Sequence, residues 1–141
     1  MSGFILSMEE AFDHGTDVVG GKSWGLSRLD RYGFKIPKTL ALTNGLYLQV
    51  IEAVLPESLR TDLEAKPDDP ILIGQVHEII IKSDLPEIFI TELNAKLAEN
   101  NLQNADLAVR SSAVGEDGTF ASFAGQHQSV LSITGVDALV I

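Results

Sequence analysis

Residues 107–133 read LAVRSSAVGEDGTFASFAGQHQSVLSI, and this stretch decides how the chain is understood. Leu107-Ala108-Val109 is an apolar run of the kind that forms a short buried strand. Arg110 stands at its end, followed by Ser111 and Ser112. A loop of small residues then carries Glu116 and Asp117, and 129–133 is expected to return as a second strand. The unit is therefore strand, small-residue loop, strand, with a permanent cation where the first strand exits. Small side chains let backbone N–H groups come close to phosphate oxygens, so the loop is a candidate anion cradle. Arg110 offers the planar fork that matches phosphate geometry. The ordinary alternative is a hairpin whose arginine pairs with Glu116 or Asp117, a surface contact of little energetic weight.

Working outward, a second candidate lies far upstream at Gly20-Gly21-Lys22-Ser23. It is not a P-loop. That motif needs a glycine, four residues, then Gly-Lys, and Thr16 stands at the first glycine position. What remains is a glycine pair opening a helix that carries Lys22 in its first turn. Such an end presents free N–H groups and the positive end of the helix dipole. A tight turn with a solvated lysine is the plainer reading.

Composition narrows the field. The chain has 141 residues, long enough for one domain with a real core. It has no cysteine, which removes disulfides and thiolate metal sites. The formal net charge is −10, a balance that repels a nucleic-acid backbone. It does not exclude a nucleotide held by a few placed cations. No apolar run reaches the roughly 18 residues of a membrane span, and the N-terminus lacks the basic start of a signal peptide. The expected location is cytoplasmic, with no nucleic-acid or membrane partner. His14, His77 and His127 show no metal-ligand spacing and are expected to be structural or exposed.

The remaining elements follow from caps and periodicity. A strand is expected at 4–6, a short helical turn at 8–14 and a loop at 15–21. Helix is expected at 22–32, ended by Gly33. A strand at 39–42 leads to a helix from Thr43 or Asn44 to Val54, and Pro56 starts another. The run 65–70 is a break. Helices follow at 71–82 and from Pro86 to Asn100, the last with Ile88, Phe89, Leu93 and Leu97 inside and Glu87, Glu92, Lys96 and Glu99 outside. Asp137 reads as the cap of a final turn ending on four apolar residues, as expected of one piece of a longer protein. Helices interleaved with few strands make the class α/β or α+β.

The paired signatures resemble the N-terminal nucleotide-binding domain of the pyruvate phosphate dikinase and phosphoenolpyruvate synthase family, which also includes the rifamycin phosphotransferases. The resemblance rests on Gly20-Gly21-Lys22, then Gly33-Phe34-Lys35-Ile36-Pro37, then Thr43-Asn44-Gly45-Leu46-Tyr47. The long signature stands as Val109 to Ala113, Glu116-Asp117 and Ala121 to Gln126. Order and spacing agree over nearly the whole chain. Gly118-Thr119-Phe120 replaces a stretch that in the family often contains Leu-Pro.

The resemblance implies an ATP-grasp-like fold in which ATP lies between two lobes, with 1–141 as the N-terminal part. It places Lys22 and Arg110 on the ATP phosphates and gives Arg110 the catalytic role. Ser111 joins the binding set. Ala121, Ser122, Phe123, Ala124 and Gly125 are expected to close over the phosphates. The implied cofactors are ATP and Mg2+, the metal's ligands lying outside this sequence. The implied partners are phosphohistidine and acceptor domains of a parent phosphotransferase, which moves phosphate from ATP to a histidine and on to an acceptor such as pyruvate. The isolated chain is expected to bind ATP weakly and turn nothing over. The alternatives are a non-catalytic nucleotide-binding or regulatory module of the same fold, or a rifamycin-phosphotransferase-like enzyme.

Overall fold

The computed structural model describes residues 3–112 and 129–140. Within them the chain is α+β: seven helices and two separate two-stranded antiparallel ribbons. The order is β1 (Ile5–Leu6), α1 (Met8–His14), α2 (Thr16–Arg31), β2 (Ala41–Leu42), α3 (Asn44–Val54), α4 (Glu57–Ala65), α5 (Pro70–Ile81), α6 (Glu87–Glu99), β3 (Leu107–Arg110), β4 (Ser129–Ile133) and α7 (Val136–Leu139).

Local chemistry explains most boundaries. Ser7 and Glu10 form a reciprocal capping box: the Ser7 hydroxyl accepts from the Glu10 amide at 3.2 Å, and the Glu10 carboxylate accepts from the Ser7 amide at 2.8 Å. The Ser7 backbone amide, aided by its hydroxyl, holds the Glu10 carboxyl below its ordinary pKa. This box turns the weak turn expected at 8–14 into a full seven-residue helix. Asp69 caps α5, accepting from the amides of Ile71 and Leu72, with Pro70 in the first turn. Gly33, at φ 82°, closes α2 through bonds from its own amide to Asp30 and from Phe34 to Leu29. Asn101, at φ 56°, closes α6 in the same way, with Leu102 folding back onto Leu97.

The core has two parts. Ile5, Phe89, Leu93, Leu97 and Leu102 form one. Leu6, Met8, Ala11, Val19 and Ala41 form the other. Because successive strand residues face opposite sides, the two residues of β1 feed one core each. Glu92 fastens that strand to α6. Its carboxylate accepts from the amides of Phe4 at 3.0 Å and Ile5 at 2.8 Å. Glu92 was expected outside; it is half-buried because it supplies the acceptors that β1 lacks on that edge. Glu92→Ala leaves both amides unpaired beside the core. The expected loss is about 1–3 kcal/mol, read as a lower urea midpoint in chemical denaturation.

Four further expectations are corrected. Ile88, expected inside, is 63% exposed, because the buried stripe of α6 runs through 89, 93 and 97. Residues 15–21 are not a loop: α2 starts at Thr16 and runs through a break at Gly20. The cap of α7 is Gly135, not Asp137, which stands inside the helix. Finally, the run 107–109 does form a strand, and β4 returns antiparallel to it, but the ribbon is not buried. Val109 is 40% exposed and Leu131 68%. Among the described residues no further strand joins this pair, and two strands alone cannot bury both faces.

Candidate functional site

The site begins at the break in α2. Gly20 adopts φ 76° and ψ 167°, a region open in practice only to glycine. The helix stops at Val19 and resumes at once, so Lys22 and Ser23 stand in the first turn of a fresh helical segment. Gly20 is buried because the end of strand β3 lies directly on it. A Cβ added at Gly20 would fall 2.6 Å from the Ser112 hydroxyl oxygen and closer still to its carbonyl. Ser112 then bonds the helix twice. Its hydroxyl donates to the Val19 carbonyl at 2.7 Å and accepts from the Ser23 amide at 3.0 Å.

The two signatures that lie about 90 residues apart in sequence are thus one piece of structure. Lys22 is next to Ser23; Arg110 is two residues before Ser112. Lys22 and Ser111 are half-buried, and Arg110 is exposed at the ribbon's end, opposite Ser129. The expected binding residues Ala121, Ser122, Phe123, Ala124 and Gly125 lie outside the described residues, as do His127, Glu116 and Asp117.

The two arginines of the same helix pack on aromatic rings. Arg28 stacks over Trp24 at 4.9 Å, and Arg31 lies over Phe12 at 4.4 Å and pairs with Asp13 at 3.7 Å. The Arg31 contacts tie α2 to α1 near the C-terminal end of α2, away from Gly20. At the N-terminal end, the Asn44 side chain donates to the Asp17 carbonyl at 2.8 Å and holds α3 against the start of α2.

Sequence reasoning missed two residues here. Ser112 was read only as part of a serine pair, with Ser111 preferred. Gly20 was read as loop. The signal for both was the glycine pair itself: a helix needs such a residue where another backbone must come close. Among the described residues no three His, Asp or Glu side chains stand close enough to share a metal ion, so no step below is routed through magnesium. No described helix is long and apolar enough to cross a membrane.

The break in α2 carrying Lys22 and the segment after Arg110 are joined through Ser112. The chain belongs to the pyruvate phosphate dikinase AMP/ATP-binding domain family, whose model matches residues 16–141. It is 34% identical to a rifampicin phosphotransferase of Bacillus subtilis, over 99% of this chain and 17% of that protein. It is 31% identical to a phosphoenolpyruvate synthase of Pseudomonas aeruginosa, over 97% of this chain and 19% of that protein. A prodigiosin synthesizing transferase of Serratia marcescens, PigC, is 33% identical over 86% of this chain and 13% of its own length. The chain therefore spans less than a fifth of each of these relatives.

Proposed function

We propose that this chain forms one wall of an ATP cleft in a dikinase-type phosphotransferase, with Lys22 and Arg110 on the phosphates. One observation carries the reading: the Ser112 hydroxyl bridges Val19 and Ser23 and so brings the Lys22 turn and the Arg110 strand together. Two cations from separate elements, whose backbones Ser112 joins before ligand arrives, would offset the charge of a triphosphate with little reorganisation. Arg110 supplies the planar fork and Lys22 a point charge on the resumed helix. Ser111, at the same strand end, is a further contact. The segment Ala121 to Gly125 follows Arg110 in sequence and is assigned to cover the phosphates, excluding water as phosphoryl transfer requires.

The enclosing fold is ATP-grasp-like, with the opposing lobe supplied by sequence beyond this chain. Mg2+, when bound with ATP, neutralises charge on the phosphates. In the parent protein the phosphoryl group would pass to a histidine on a separate domain and then to an acceptor. Pyruvate is one acceptor, in keeping with the likeness to a phosphoenolpyruvate synthase. A rifamycin-type acceptor is the second reading, favoured by the 34% identity to the rifampicin phosphotransferase.

With one wall alone, affinity is weak and turnover absent. A dissociation constant of about 1 mM would give about 1.4 kcal/mol of stabilisation at about 10 mM Mg-ATP. That corresponds to a rise in Tm of roughly 4 °C, measured by calorimetry. No rise at that concentration, or phosphate transfer by the isolated chain, would contradict the proposal.

A further inference from the structure

The Ser112 hydroxyl occupies a specific vacancy. In an unbroken helix the Ser23 amide would donate to the carbonyl four residues back, which is Val19. The turn at Gly20 removes that bond. Ser112 replaces it from another element: its oxygen accepts from Ser23 at 3.0 Å, and its hydrogen goes to Val19 at 2.7 Å. One hydroxyl thus uses a donor and an acceptor to repair one helical bond. An inserted side chain is a recognised cause of a sharp helix kink. Here the inserted side chain comes from two residues past the end of strand β3.

We propose that Ser112 is a positioning residue: its hydroxyl sets the turn carrying Lys22 against the strand carrying Arg110. The ligand part of this inference rests on the ATP reading above; the latch does not. Neither Lys22 nor Arg110 needs to touch Ser112. Both are one or two residues from the atoms it joins, so a shift at the latch moves one cation relative to the other. A misplacement of about 1 Å in such a constellation can cost on the order of a hundredfold. Both bonds come from the hydroxyl of Ser112, not from that of Ser111.

The test uses Ser112→Ala together with the matched pair Ser112→Thr and Ser112→Val, which differ by the hydroxyl at nearly constant shape. Amide exchange at Ser23 is followed by NMR on the ligand-free chain. Affinities for Mg-ATP and for AMP are then compared. In Ser112→Ala the Ser23 amide is expected to exchange at least about tenfold faster. The dissociation constant for Mg-ATP is expected to rise about tenfold, and that for AMP by less than about twofold. Threonine should restore both readouts and valine neither. Unchanged exchange in Ser112→Ala overturns the latch. Equal weakening of ATP and AMP overturns the positioning role and leaves only a structural one. If the alanine variant does not fold, the threonine–valine contrast decides. A parent chain that binds no Mg-ATP would sink the ATP reading. In that case a threonine-specific recovery of Ser23 protection still supports the latch, and its absence overturns it.

Discussion

Arg110→Ala is expected to cut the Mg-ATP-dependent rise in Tm from roughly 4 °C to about 1 °C or less while leaving the ligand-free Tm within about 1 °C of the parent. Arg110 is exposed at the end of a two-stranded ribbon, so its removal disturbs little packing. A hydrogen bond between charged partners contributes roughly 1.5–3 kcal/mol, a factor of about 10 to 150 in affinity. From a dissociation constant of about 1 mM, that loss leaves about 0.4 kcal/mol of stabilisation or less at about 10 mM Mg-ATP. Arg110→Lys keeps the charge and loses the fork, so it should recover only a minor part. Lys22→Ala should fall in the same direction by a similar factor. If Arg110→Ala keeps the parent's ligand-induced shift, the strand end does not touch the phosphates.

Gly20→Ala is expected to destabilise the chain by about 2–6 kcal/mol, read from urea unfolding. Two costs combine. A side chain at φ 76° and ψ 167° lies in a region that costs of order 1–3 kcal/mol. The new methyl also overlaps the Ser112 backbone, and overpacking costs a further 1–3 kcal/mol or so. Gly15 provides the control. It has nearly the same backbone, φ 77° and ψ 177°, but nothing within 4 Å of an added Cβ. Gly15→Ala should therefore show the backbone cost alone. The difference between the two variants isolates the contact with the strand end. Equal losses would mean that the strand does not press on Gly20.

Which parts of this architecture were legible follows from where the determining interactions lie. The ends of α5, α2 and α6 were readable because the residues that set them are local: Asp69 and Pro70, Gly33, and the Asn100-Asn101 pair. Glu92 was misread because its partners lie nearly 90 residues away. A helical pattern shows only that it is polar. The exposure of Val109 and Leu131 was illegible for the reverse reason: apolar alternation signals a strand that wants covering, not what covers it. Gly20-Gly21 looked like a loop because two adjacent glycines usually are one. The helix continues on both sides because Val19 is anchored in the core and Ser112 restores the lost bond. The pairing of the lysine and arginine signatures came from resemblance. The residues themselves did not say that they meet, and the structure joins them through a serine that sequence reasoning had passed over.

The central claim is that Gly20-Gly21-Lys22 and Arg110-Ser111-Ser112 form one phosphate-binding wall. The direct measurement is an NMR titration of the labelled chain with Mg-ATP, following the amides of residues 21–23 and 110–112. Both sets are expected to shift together, with one dissociation constant, and to respond far less to adenosine, which has no phosphate. Shifts confined to one set, two different constants, or an equal response to adenosine would contradict a shared phosphate site.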